Sequence, residues 1–228
     1  RRAKFIYINY PNNPTGAVAT KAFYEKLVAW AKTYEVGVVS DLAYGALGYQ
    51  GYENPSFLST PGAKDVGIEF YTFSKTFNMA GWRLAFAAGN EQMIEALNLI
   101  QDHLFVGIFP ALQEAGIAAL LDPKSEEAVA QLNATYDGRR DAFVQAAAKI
   151  GWQAFPSRGS FYAWMPVPEG DTSESFADLL LEKAHVAVAP GKGFGPAGDA
   201  YVRIGLLVEP ERLVEAVNRI ANLHLFNN

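Results

Sequence analysis

Short apolar runs alternate along the chain with longer stretches whose apolar positions recur at helical spacing. Residues 5–8 (Phe-Ile-Tyr-Ile) have the aromatic and β-branched make-up of a strand. They stop at residues 9–16, where two prolines, three asparagines and a glycine exclude helix and central strand and leave a structured loop. From Thr20, the residues Phe23, Leu27, Trp30, Ala31 and Tyr34 recur at helical spacing, which places Trp30 and similarly spaced aromatics in the core. Residues 36–40 predict a buried strand with Asp41 just past its end. Residues 68–73 and 84–88 predict two more strands, and Ser74-Lys75 follow the first of these. Asn90 is placed to cap a helix carrying Met93, Leu97, Ile100 and Leu104 on one face. Strand and helix alternate, the pattern of an α/β fold with mostly parallel strands.

Beyond Pro123 the character changes. Helical periodicity runs over 125–149 and stops at Gly151, and a strand through Ala163 ends at Pro166 and Pro168. A helix over about 173–185, a strand over 186–189, a glycine-rich loop, a strand over 201–208 and a helix opening at Pro210 complete the chain. Two domains are therefore expected. Residues 1–124 form an α/β domain with a mostly parallel sheet. Residues 125–228 form a long connecting helix and a smaller α+β domain.

Composition narrows the classes of function. Half of the 228 residues are apolar and 13% aromatic, enough to bury a sizeable core and to exclude bulk disorder. A net charge of −5 argues against nucleic acid as a partner, which would need a basic stripe to displace counterions. No run reaches the roughly 18 apolar residues of a membrane span. The absence of cysteine removes disulfides, thiolate zinc sites and cysteine nucleophiles, and fits a reduced, cytoplasmic compartment. His103, His185 and His224 lack ligand spacing, so no metal site is expected. The chain opens on Arg1 rather than methionine and is expected to be part of something longer.

Open α/β sheets bind ligands beyond the carboxyl ends of their strands. Asn13, Asp41 and Lys75 fall there, after three different strands. Lys75 lies among mainly apolar neighbours, and partial desolvation there favours a neutral, nucleophilic amine able to form a Schiff base with an aldehyde. On composition alone, a lysine on a surface loop explains the same residue. The Gly-Lys-Gly-Phe-Gly run at 191–195 lacks the spacing and following helix of a phosphate loop, and reads as a turn near the substrate mouth.

Four motifs occur in order: Tyr10-Pro11-Asn12-Asn13-Pro14-Thr15-Gly16, Asp41-Leu42-Ala43-Tyr44, Ser74-Lys75-Thr76-Phe77-Asn78-Met79-Ala80-Gly81-Trp82-Arg83 and Tyr201-Val202-Arg203-Ile204. Together they resemble the active-site segments of the fold type I pyridoxal-phosphate aminotransferases of class I/II. The resemblance implies the later part of that family's large domain plus its small domain, without the N-terminal part. It implies a full-length homodimer that uses pyridoxal 5'-phosphate to move an amino group between an L-amino acid and a 2-oxo acid. By the same resemblance Lys75 holds the cofactor as a Schiff base and shuttles the substrate's proton. Asp41 keeps the pyridine nitrogen protonated, and Tyr44 and Asn13 hydrogen-bond its O3′. Ser74 and Arg83 hold the phosphate, and Arg203, with Asn13 nearby, clamps the substrate α-carboxylate in bidentate fashion. Residues 74–83 with Asp102-His103 and Ala184-His185-Val186 look closest to bacterial enzymes acting on methionine-pathway 2-oxo acids or aromatic amino acids. A C–S lyase or decarboxylase on the same scaffold, and an aminotransferase-like sensor domain of a transcription regulator, remain alternatives. The isolated stretch is expected to hold the cofactor weakly or be inactive.

Overall fold

The computed structural model describes residues 3–226. The chain divides into two compact units, one of residues up to Pro11 with Val18–Leu132, the other of Asn12–Ala17 and residues from Asn133 onward.

The first unit contains β1 (Phe5–Asn9), α1 (Lys21–Tyr34), β2 (Gly37–Asp41), α2 (Ala63–Val66), β3 (Gly67–Thr72), α3 (Phe73–Thr76), β4 (Ala85–Gly89), α4 (Glu91–Leu104) and α5 (Pro110–Leu121). Its four-stranded sheet has the order β1-β2-β3-β4. The first three strands are parallel and β4 is antiparallel to β3, so the sheet is mostly parallel as the α/β pattern predicts. In register, Asn9 faces Asp41 and Asp41 faces Phe70. Asp41 is thus the last residue of β2 rather than the first beyond it.

Helix α1 begins at Thr20, whose hydroxyl accepts a hydrogen bond from Phe23 N, and ends at Glu35 in the left-handed region (φ 53°). It buries Tyr24, Leu27, Val28 and Ala31, an i, i+3, i+4, i+7 stripe, against Ile8, Val38 and Phe57. The expected stripe was rotated from this one. Phe23, Trp30 and Tyr34 are 38–40% exposed, and Trp30 packs on Tyr34 (centroids 5.4 Å apart), one turn along the outer flank, rather than in the core. Helix α5 has no counterpart in the sequence reading. Pro110 opens it at the first-turn position, but apart from Gln113 and Glu114 its residues are apolar or small, so no clear polar–apolar period marks it.

One buried carboxylate ties this unit together. Glu69, on β3 directly opposite Ser40 of β2, is 6% exposed. It accepts from Ser40 Oγ (3.0 Å), Ser56 Oγ (2.5 Å) and the Phe57 amide (2.8 Å). Three donors, none of them cationic, satisfy the charge and bind the turn at 56–59 to the centre of the sheet. Burial and the nearby Glu69 charge also hold the Tyr24 phenol well above its ordinary range.

The second unit holds most of α6 (Ser125–Lys149), then β5 (Tyr162–Pro166), α7 (Ser173–Leu179), β6 (Ala189–Pro190), β7 (Tyr201–Gly205) and α8 (Pro210–Ala221). Its sheet is antiparallel, in the order β5-β7-β6. Phe143 and Ala147 of α6, Phe176 of α7 and Leu213, Val217 and Ile220 of α8 close over Met165, Val202 and Trp152. Trp152 is 1% exposed and its indole N–H reaches Pro166 O at 2.7 Å, so the ring is buried without an orphaned donor. Among the described residues, no helix is long and apolar enough to cross a membrane.

Two strand expectations are corrected here. No strand covers 186–188: the helix after α7 continues as a wider turn over Leu180–Ala184, and Val186 N bonds back to Leu180 O, leaving only the two-residue β6. Strand β7 ends at Gly205 rather than 208, because its partner β5 begins at Tyr162 and only Leu206 N still finds an acceptor, Phe161 O.

The loop between β6 and β7 is anchored by side chains. Asp199 Oδ1 accepts from Ser173 Oγ (2.9 Å) and Ser173 N (3.2 Å), while Ser173 Oγ accepts from Lys192 N (3.1 Å). The Ser173 hydrogen bonds, side chain first and backbone second, hold the Asp199 carboxyl below its ordinary range. Lys192 in turn pairs with Glu174 at 2.7 Å.

Two outcomes are expected. Glu69→Ala leaves two hydroxyls and one buried amide without their acceptor, at about 1–3 kcal/mol for each donor left unsatisfied; the denaturation midpoint falls, and an unchanged midpoint contradicts the clamp. A carboxyl depressed in the folded state stabilises above its unfolded value and loses that contribution as pH falls through the folded value. Wild-type thermal stability therefore declines below about pH 4 more steeply than that of Asp199→Asn.

Candidate active site

In the first unit the carboxyl edge of the parallel strands collects four of the expected residues. Asp41 closes β2 with its carboxylate exposed. Its Oδ1 accepts from Ala43 N (3.1 Å) and its carbonyl from Asn9 Nδ2 (3.0 Å), which fixes the turn leaving the strand. Tyr44 lies in that turn, 4% exposed. Asn54 braces it by donating to Gly45 O (3.2 Å) and Leu47 O (3.0 Å). The Tyr44 ring faces the Lys75 amine, with Nζ 5.8 Å from the ring centroid, within cation–π reach.

Lys75 is half-buried and sits in the single turn of α3, entered directly from β3. Thr72 caps that turn by accepting from Ser74 N (3.1 Å), and its hydroxyl donates to Ser74 Oγ (2.9 Å). Tyr71 donates to Thr76 Oγ1 at 2.8 Å, and burial raises its phenol above the usual range. Phe73, Met79 and Leu84 form the small core beneath the turn. Thr72 was not singled out from the sequence, although a threonine immediately before a Phe-Ser-Lys turn is a recognisable cap. Arg83 adopts the left-handed conformation (φ 54°), is exposed, and its Nη1 donates to Ala80 O (3.0 Å) of its own turn rather than to Ser74. The structure thus brings Asp41, Tyr44, Ser74 and Lys75 to one edge, with Arg83 one turn further along.

In the second unit the residues 12–17 loop is held by Asn12, whose Oδ1 accepts from Thr15 N (3.1 Å) and Thr15 Oγ1 (2.8 Å). Gly16 has φ +70°, and a Cβ there would lie 2.1 Å from Ser157 Oγ and 3.0 Å from Gly159 O, so glycine is required twice over. Asn13, next in that loop, accepts from Arg203 Nη1 at 2.8 Å. Arg203 is half-buried on β7, and among the described residues no carboxylate pairs with it. Its guanidinium instead lies 4.2 Å from the Tyr162 ring centroid and 4.6 Å from that of Phe194. Neither ring was a candidate on sequence. Tyr162 reads as a strand aromatic, and Phe194 sits in the glycine-rich run taken for a turn, where two short turns indeed occur.

Comparison with known proteins agrees with these features. The sequence matches the family described as aminotransferase class I and II over residues 1–220. The chain is 58% identical, over 99% of its length, to L-glutamine--4-(methylsulfanyl)-2-oxobutanoate aminotransferase of Bacillus subtilis, and 48% identical over 96% to LL-diaminopimelate aminotransferase of Moorella thermoacetica. It spans 56% of each of these relatives. Among solved structures, apo-BacF of Bacillus subtilis superposes with a TM-score of 0.93 at 47% identity, covering 99% of this chain and 57% of that one. An aminotransferase from Staphylococcus aureus superposes at 0.94 with 40% identity, covering 98% and 59%. The chain belongs to the class I and II aminotransferases, a pyridoxal-phosphate-dependent family of fold type I, and corresponds to a little over half of such a protein.

Proposed function

We propose that the protein containing this chain is an aminotransferase that moves an amino group from an L-amino acid to a 2-oxo acid with pyridoxal 5'-phosphate. The observation that carries this reading is the amine of Lys75 held over the Tyr44 ring, beside the strand end that bears Asp41. The donor set fits the cofactor's chemistry: an amine for its aldehyde, a carboxylate for its ring nitrogen, a phenol for its ring oxygen, a hydroxyl and a guanidinium for its phosphate.

When bound, pyridoxal phosphate supplies an aldehyde for amines and a ring that takes up the electron pair left at the substrate's Cα. Lys75 would hold the cofactor through its amine and, when freed, would act as the base that takes the proton from the substrate's Cα and as the acid that gives it up again. Asp41 would accept a hydrogen bond from the ring nitrogen and keep it protonated, and Tyr44 and Asn13 would supply hydrogen bonds to the ring oxygen. Ser74 and the N–H groups of Arg83 not engaged with Ala80 would hold the phosphate. Arg203, hydrogen-bonded to the Asn13 amide oxygen, would offer its remaining fork to the substrate α-carboxylate and orient the Cα–H bond, with Asn13 fixing the guanidinium.

Similarity favours an acceptor like 4-(methylsulfanyl)-2-oxobutanoate with L-glutamine as donor, as in the Bacillus subtilis relative, in keeping with the likeness of residues 74–83 to methionine-pathway enzymes. The whole protein is read as a cytoplasmic homodimer. Leu104, Phe105, Val106 and Phe109, between 66% and 87% exposed around the α4–α5 connection, support a surface that a second copy covers. Residues 1–124 are assigned to the later part of the large domain, and residues 125–228 to the interdomain helix and the small domain.

The test uses the full-length protein. With pyridoxal phosphate added, borohydride fixes the cofactor on the peptide containing Lys75, and Lys75→Ala removes both this labelling and the cofactor's absorbance band. Turnover in the variant falls by at least about 10²–10⁴-fold. An unchanged band in the variant rejects Lys75. Steady acceptor-dependent amino transfer supports the aminotransferase, whereas release of pyruvate and ammonia would favour the lyase.

A further inference from the structure

The Gly-Lys-Gly-Phe-Gly run acquires a purpose from what it holds. We propose that Phe194, together with Tyr162, forms an aromatic cradle that fixes the Arg203 guanidinium for the α-carboxylate of both substrates. This makes Phe194 a positioning residue for substrate binding. The inference rests on the assignment of Arg203 to that carboxylate.

The geometry is specific. Arg203 lies opposite Trp164 across the β5–β7 pair, so Tyr162, two residues away on β5, is its diagonal neighbour on the same face. That places the Tyr162 ring centroid 4.2 Å from Cζ. Phe194 arrives from the β6–β7 connection, with its centroid 4.6 Å from Cζ and edge-on to Trp164 at 6.0 Å. The connection can deliver it only because two glycines let backbone meet backbone. A Cβ on Gly191 would fall 2.2 Å from Gly198 O and 2.4 Å from Tyr201 O, and one on Gly198 2.1 Å from Gly191 O. Ser173 and Asp199 then anchor this connection through Lys192 N, two residues before Phe194.

Guanidinium is planar and weakly hydrated, so rings pack against it favourably while its N–H groups remain available in the plane. One of these, on Nη1, is committed to Asn13 Oδ1. With rotation about the side-chain bonds restricted by the rings, little ordering entropy is lost when a carboxylate takes up the remaining fork. The carboxylate is common to amino donor and 2-oxo acid acceptor, so the cradle acts on both half-reactions alike. A residue touching the substrate side chain would instead discriminate between them.

The experiment measures KM and kcat for donor and acceptor in the full-length enzyme, and the Kd of 4-(methylsulfanyl)butanoate, a carboxylate that cannot react. Phe194 is 42% exposed, so its replacement is expected to leave the fold intact. Phe194→Ala raises KM for both substrates and this Kd by about 3- to 30-fold, with kcat changed by less than about 3-fold. Phe194→Leu, which keeps apolar cover without a ring, falls between. In combination with Arg203→Lys, Phe194→Ala adds little further. If Arg203→Lys raises KM but Phe194→Ala does not, or the two effects multiply, the cradle is overturned while the role of Arg203 stands. If Arg203→Lys itself leaves KM and Kd unchanged, the assignment of Arg203 fails first, and the cradle with it.

Discussion

Parallel pairing of three strands is the constraint on which the first unit depends. Because β1, β2 and β3 run the same way with Asn9, Asp41 and Phe70 in one row, their carboxyl ends must emerge along one edge. Chain segments some thirty residues apart then deliver their polar side chains to a common line. The Asp41 carboxylate, the Tyr44 turn and the Lys75 turn are neighbours for this reason. The strands cannot slide, since Glu69 accepts from Ser40 across β2 and β3 and from the turn at 56–59 at the same time. A shift by one residue would move this charge to the opposite face and away from its three donors.

The second unit reaches a comparable end with an antiparallel sheet. A half-buried arginine on a central strand is costly unless its charge is answered. Among the described residues, two rings and one amide oxygen surround it. The tight glycine contacts and the Ser173–Asp199 anchor matter because the ring at Phe194 would otherwise have no fixed place to stand.

Much of this was legible in the sequence, and the exceptions have physical causes. The α/β alternation and the mostly parallel sheet followed from hydrophobic periodicity, and the family followed from four motifs in order. Helix α5 was invisible because a mostly apolar helix, with only Gln113 and Glu114 polar, shows no clear period. Trp30 was misplaced because two overlapping helical stripes differ by only one residue, and packing against the sheet selected the one through Tyr24. The strand over 186–189 failed because a β-rich composition cannot supply a partner, and Val186 is occupied by the preceding helical end. Glu69 gives no sequence signal at all: a glutamate between Ile68 and Phe70 looks like a solvent-facing position, and its partners lie 29 and 13 residues away. The rings around Arg203 are contacts across a sheet and a loop, which spacing along the chain does not encode.

The reversal of direction at β4 has a bearing on how this protein can vary. Thr72 pairs with Ala85, and Phe73 N bonds to Leu84 O, so the stretch bearing Lys75 leaves the sheet and re-enters it at adjoining positions. Such a stretch behaves as a closed loop of set circumference. Exchanges of side chain can be absorbed by it, but one inserted or deleted residue would have to be taken up within the turn that carries the amine. Natural variation in this stretch should therefore appear as changes of identity at constant length, with gains and losses of residues displaced to open connections such as the one between α4 and α5.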